Sequence, residues 1–129
     1  MSYHKQDLIR YRLEKSATTF DEAEFLMQNG FWGGAANRLY YCSFYAVTAL
    51  LAKDEIEAST HNGVRTEFFK QYIKTGILNR EYSNLYSNLM NKRHESDYDD
   101  FMEFTENEIL PLLEEVRQFL LALRKQIEI

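Results

Sequence analysis

An all-α fold, an antiparallel up-and-down bundle of four to five helices, is what this sequence predicts. Three observations carry it. Apolar residues recur at spacings of three and four through most of the chain. No stretch alternates with a period of two for long enough to form a strand. The breaks between periodic segments are short and carry residues that start or end helices.

The first helix is expected over residues 2–28. Leu13, Ala17, Phe20, Ala23 or Glu24, and Met27 keep its period. Asn29-Gly30 ends it, because glycine tolerates the left-handed cap. The second runs from about Gly34 to Lys53. Ala36, Leu39, Tyr40, Phe44, Val47 and Leu51 form one stripe; Tyr41, Tyr45 and Ala49 form another. A helix apolar on most sides belongs in the middle of a bundle. The third begins after Ser59-Thr60, which are good N-cap residues, and stops at Thr75-Gly76. The fourth runs from about Leu78 into the 93–98 region on Leu78, Tyr82, Leu85 and Leu89. The last follows Thr105-Glu106-Asn107-Glu108, a capping-box pattern, and buries a face from Ile109 to Ile127. Pro111 either kinks this helix near its start or marks where regular helix begins.

A chain of 129 residues suits one domain, 1–129. It can bury roughly two-thirds of its unfolded surface, enough for a core without staples. Hydrophobic residues at 45%, with one proline, exclude a disordered chain. The lone cysteine, Cys42, makes neither an intrachain disulfide nor a zinc site, which fits a reducing, cytoplasmic setting. The polar opening MSYHKQDLIR is not expected to be a signal peptide, and no apolar run approaches a membrane span. A net charge of −5 argues against a broad nucleic-acid coat but leaves room for a local basic site.

The most informative segment is NKRHESDYDD, residues 91–100. Arg93 lies four residues after Leu89, and Asp97 four after Arg93, so both extend the apolar stripe if the helix continues. Charges placed there need partners. Two readings follow, and they can coexist. Arg93 is an anion-binding or catalytic group in a cleft, or the helix ends near His94 and Ser96-x-x-Asp99 caps a new one. His94, about 100° around the helix from Arg93, is expected in solvent. His61 is expected to anchor the start of the third helix, and His4 to be exposed. Arg38, embedded in the apolar second helix, is a snorkelling or salt-bridged side chain, or a second phosphate contact. Cys42 is expected to be a buried small residue. Glu-x-x-His pairs, a glycine-rich phosphate loop, a Gly-x-Ser-x-Gly elbow and metal-ligand spacings are all missing, so no metal and no cofactor is expected.

The segments ANRLYYCSFYAVTALL, THNGVRTEFFKQYIKTG and Arg93 through Tyr98, in that order, resemble the HEPN domain over about residues 5–127. The resemblance implies a helical bundle that commonly forms homodimers in prokaryotic cells. Many such domains are metal-independent ribonucleases with an Arg-x4–6-His motif. Others are toxins, or partners encoded beside a small nucleotidyltransferase. By resemblance, Arg93 takes the motif's arginine position. The sequence departs at the histidine, because Asp97 and Tyr98 occupy that region. Histidine serves as base and acid near neutral pH, whereas an aspartate protonates a leaving oxygen poorly.

Three functions are therefore expected, in order. The first is a dimeric HEPN protein, non-catalytic or weakly active, that partners a small nucleotidyltransferase in a toxin–antitoxin-like or defence pair. The second is a metal-independent ribonuclease of single-stranded RNA using Arg93, Asp97 and Tyr98, or His94. The third is a nucleotide-binding regulatory module with Arg93 and Arg38 on the phosphate. A homodimer is also expected because Tyr82, Leu85, Tyr86 and Leu89 cover more than one face of the fourth helix.

Overall fold

A computed structural model describes residues 2–128; the expected domain limits, Met1 and Ile129, lie outside the described residues. Among the described residues, five α-helices make up the fold: α1 (Ser2–Gln28), α2 (Trp32–Lys53), α3 (His61–Phe68), α4 (Arg80–Tyr98) and α5 (Glu106–Ile127). A wider π turn, Phe69–Ile73, extends α3. There is no strand among the described residues.

Direct contacts set the directions. Ser16 on α1 donates to the Cys42 carbonyl at 2.7 Å and Arg12 to that of Thr48 at 3.0 Å, so α1 and α2 run antiparallel. Ser96 on α4 donates to the Gly33 carbonyl at 3.0 Å while Arg93 reaches Tyr40, so α4 also opposes α2. Arg124 donates to the Leu13 carbonyl and Arg117 to Glu24, so α5 opposes α1. The four long helices therefore alternate up and down, and short α3 bridges α2 to α4. As its stripes predict, α2 is central: Leu39, Tyr40, Val47 and Leu50 are fully buried, and it touches every other α-helix.

The local signals act where they stand in sequence. Gly30 adopts φ +76° after α1 and Gly76 φ +81° after the π turn, both left-handed values that favour glycine. Thr60 caps α3 by accepting from the Gly63 amide at 2.9 Å. Thr105 and Glu108 form the capping box of α5. Pro111 sits inside α5, which begins five residues earlier.

Several expectations need correction. The second helix starts at Trp32 rather than Gly34, and the fourth at Arg80, capped by Asn79. The inward face of α1 keeps Phe20, Ala23 and Met27 of the expected stripe but departs from it at Ala17. Ala17 is exposed, and Ile9, Ser16, Thr19, Phe20, Ala23 and Met27 are buried. The Ser16 and Thr19 side chains are short enough to let α1 lie close against α2, and the Ser16 hydroxyl is satisfied by the Cys42 carbonyl. The fourth helix does not break near His94. It continues to Tyr98, and Ser96 spends its hydroxyl on Gly33 rather than on a cap. Leu85, Tyr86 and Leu89 are buried within this chain, and half-buried Tyr82 stacks on Phe119 at 5.3 Å, so packing inside the bundle accounts for most of this apolar surface.

Candidate functional site

The third turn of α2 and the last turns of α4 meet the first residue of α3 at one end of the bundle. Because α4 continues unbroken, the four-residue step from Leu89 carries Arg93 inward, where it is only 8% exposed. Its guanidinium carbon lies 5.2 Å from the ring centroid of Tyr40 and 5.8 Å from that of Tyr41, which offers a π face to a cation largely removed from water. Nη1 pairs with Asp97 at 3.8 Å, one turn further along α4. Nε is buried with no hydrogen-bond partner among the described residues, as is the Tyr86 hydroxyl.

Asp97 is itself held. Both its oxygens accept from Nδ2 of Asn37, at 3.2 and 3.1 Å. Oδ1 of Asn37 in turn accepts from Arg38, from Nε at 2.9 Å and Nη2 at 2.5 Å. Arg38 also pairs with Glu22 at 3.4 Å and lies over Tyr41 at 5.4 Å. A polar chain thus runs from Arg93 through Asp97 and Asn37 to Arg38. Arg38 is therefore salt-bridged, and it lies at the far end of the polar chain that begins at Arg93.

His61 completes the group from the other side. Its Nδ1 is 2.7 Å from the Tyr40 hydroxyl, and its ring packs against Phe44 at 4.8 Å between centroids. Its pKa is lowered, first by burial and then by the positive charge of Arg93. Burial pushes the Tyr40 phenol up, so that it stays protonated. A neutral imidazole and a buried guanidinium thus share one aromatic enclosure.

Of the residues singled out in the sequence, Arg93, Asp97 and Arg38 come together. Tyr98 does not join them: it is exposed and packs on His94, with ring centroids 5.0 Å apart. His94 is exposed, as its angle from Arg93 requires, and so is His4. Cys42 is fully buried, and burial pushes its thiol pKa up to about 12, which leaves it inert. The period of α4 alone does not point to Asn37, to Tyr40 or to the position of His61 beside Arg93. One signal for the last is present: His61 follows the Thr60 cap, so its ring has to lie where α3 enters the bundle. Among the described residues no group of three or more histidine, cysteine or acidic side chains converges as metal ligands, and no helix is long and apolar enough to cross a membrane.

The fold and the site together define a helical-bundle domain with a buried cation near the end of its fourth helix. The chain belongs to the HEPN domain family, whose pattern matches residues 9–126. It is 33% identical over 124 residues to a UPF0332 protein of Thermotoga maritima, covering 96% of this chain and 94% of that one. It is 34% identical over 113 residues to a Methanocaldococcus jannaschii protein named "Putative toxin MJ0142", covering 88% of this chain and 77% of that one. A second protein of that organism, "Putative toxin MJ0605", is 24% identical over 120 residues, covering 93% and 89%.

Proposed function

We propose that this HEPN protein acts as a homodimer in a toxin–antitoxin-like or defence pair, with a small nucleotidyltransferase as its partner, and that its chief role is binding rather than catalysis. The observation that supports a binding role is the state of Arg93. The cation at the family's arginine position is stacked on Tyr40 and Tyr41 and paired with Asp97, which Asn37 holds in turn. To reach a phosphate, that guanidinium must give up Asp97 and leave a buried site. The toxin names of two relatives support the pairing, and the family resemblance supports the dimer and the partner.

The test is to read the neighbouring frames for a small nucleotidyltransferase and to co-express it with this chain. A stable complex, together with no cleavage of varied single-stranded RNAs by the purified chain, is the expected result. Failure of the two chains to copurify, with RNA cleaved in the presence of a chelator, would reverse the assignment.

A second reading, a metal-independent ribonuclease, is favoured by one observation. His61 stays neutral beside Arg93, with Nε2 free of any hydrogen bond among the described residues. In this reading His61, not Asp97 or Tyr98, takes the proton from a ribose 2′-hydroxyl as that oxygen attacks phosphorus, Arg93 stabilises the phosphorane charge, and the imidazolium returns the proton to the 5′ oxygen as the P–O5′ bond breaks. It requires RNA cleavage that survives a chelator and is lost in both His61→Ala and Arg93→Ala. Nucleotide binding by Arg93 and Arg38 is the third reading, and protection against melting by a nucleotide, lost on Arg38→Gln, would support it.

A further inference from the structure

The end of α1, the start of α2, the end of α4 and the start of α5 gather at one end of the bundle, where Ser96 donates to the Gly33 carbonyl at 3.0 Å. Large apolar side chains stand in solvent there. Phe25 and Phe31 lie around the α1–α2 turn, and Phe101 and Met102 lie in the connection from α4 to α5. Phe101 is the extreme case. It is fully exposed, and its backbone holds φ +63°, a left-handed value that a bulky side chain rarely adopts. The connection is nevertheless anchored: three residues on, Phe104 is buried in the core, with the Lys92 ammonium 5.2 Å from its ring centroid. A tethered loop thus carries an aromatic side chain that the bundle does not use.

The charge around this side chain has one sign. No lysine or arginine stands between Arg93 and Arg117 in the chain. Asp99, Asp100 and Glu103 flank Phe101 instead, all exposed and none in an ion pair among the described residues. That charge selects the occupant. It repels a nucleic-acid strand or an anionic membrane, and two copies of this chain joined at these ends would set carboxylates against carboxylates. What fits is a protein surface whose apolar pocket takes an aromatic ring inside a rim of lysine and arginine. Binding energy at protein interfaces concentrates in such desolvated aromatic anchors, while the charged rim sets partner choice and association rate.

We propose that this end of the bundle docks a basic protein partner, with Phe101 inserted into an apolar pocket and Asp99, Asp100 and Glu103 facing the partner's cations. The proposal rests on the partner reading above. It gives the small nucleotidyltransferase a contact surface on this chain and requires a basic, pocketed face on that enzyme.

Copurification of the co-expressed pair, followed by calorimetric titration of the separated chains, tests the proposal. Phe101→Gly is expected to weaken the complex by about tenfold or more. The melting temperature of the free variant is expected to hold or rise, because glycine adopts a left-handed φ without strain. Replacing Asp99 and Asp100 together by lysine is expected to weaken the complex similarly, and the parent complex is expected to weaken as salt rises. A parent complex that survives either variant unchanged overturns this assignment and leaves the partner reading standing. No complex with the parent overturns both. A free chain whose mass by light scattering falls in Phe101→Gly makes a second copy the occupant, which also overturns the proposal.

Discussion

The hydroxyl of Tyr40 lies 2.7 Å from Nδ1 of His61, joining the middle of the second helix to the first residue of the third. The same tyrosine offers its ring to Arg93 at 5.2 Å. One side chain therefore organises both the histidine and the arginine, by different parts of itself. Tyr40→Phe should separate the two. It keeps the ring for Arg93 and removes the partner of Nδ1, and it should cost about 0.5–1.5 kcal/mol of stability by urea denaturation. Tyr40→Leu should cost more, because it also removes the π face.

Arg93 is predicted to matter more for function than for stability. A buried ion pair repays its desolvation poorly, and Nε already lacks a partner among the described residues. Arg93→Met should stay within about 1 kcal/mol of the parent in denaturant, since it preserves volume and leaves Asp97, partly exposed and bonded to Asn37, without an uncompensated buried charge. The same variant should lose whatever activity or partner binding the parent has. A collapse of the fold in Arg93→Met would assign this side chain a mainly structural role.

The pH dependence of stability follows from His61. Its folded pKa lies below the unfolded value of about 6.5, so the unfolded chain takes up this proton first. The stability contributed by neutral His61 is fully present above that value and is lost as pH falls through 6.5 towards the lower folded pKa. The melting temperature of the parent should therefore fall more steeply on acidification below pH 6.5 than that of His61→Gln. Parallel curves for the two proteins would contradict it.

Thr60 fixes where His61 stands. Its hydroxyl accepts the Gly63 amide at 2.9 Å, and His61 is the next residue. Thr60→Ala should cost about 1 kcal/mol, as for other lost N-caps, and should shift the His61 ring resonances in an NMR spectrum.

Cys42 should resist thiol reagents in the native state and react at once in denaturant. Its thiol donates to the Leu39 carbonyl at 3.2 Å in a fully buried position, and burial raises its pKa to about 12. Rapid labelling of the folded protein at pH 8 would mean that α2 opens readily.

Where a property depends on neighbours within a turn or two, the residues alone reveal it. Asn29-Gly30, Thr60 and the Thr105–Glu108 box mark helix ends through local hydrogen bonds and φ, so all three are legible in the chain itself. So is the central place of α2, whose apolar residues cover most of its sides. The four-residue step from Leu89 likewise places Arg93 on an inward face, whereas Asp97, one turn further on, stands at the exposed edge.

The tertiary structure decides the rest, because the rest depends on pairs far apart in the chain. Whether α4 ends at His94 or continues turns on Ser96 meeting Gly33, 63 residues away. Periodicity misjudges the inward face of α1 at Ala17 because hydrophobicity ranks alanine above serine. The close approach of α2 instead supplies a backbone carbonyl that makes Ser16 the better buried residue. The histidine that shares Tyr40 with Arg93 comes from α3, 32 positions earlier in the chain. Periodicity sets which way a side chain faces; only the packing of separate helices sets what it meets there.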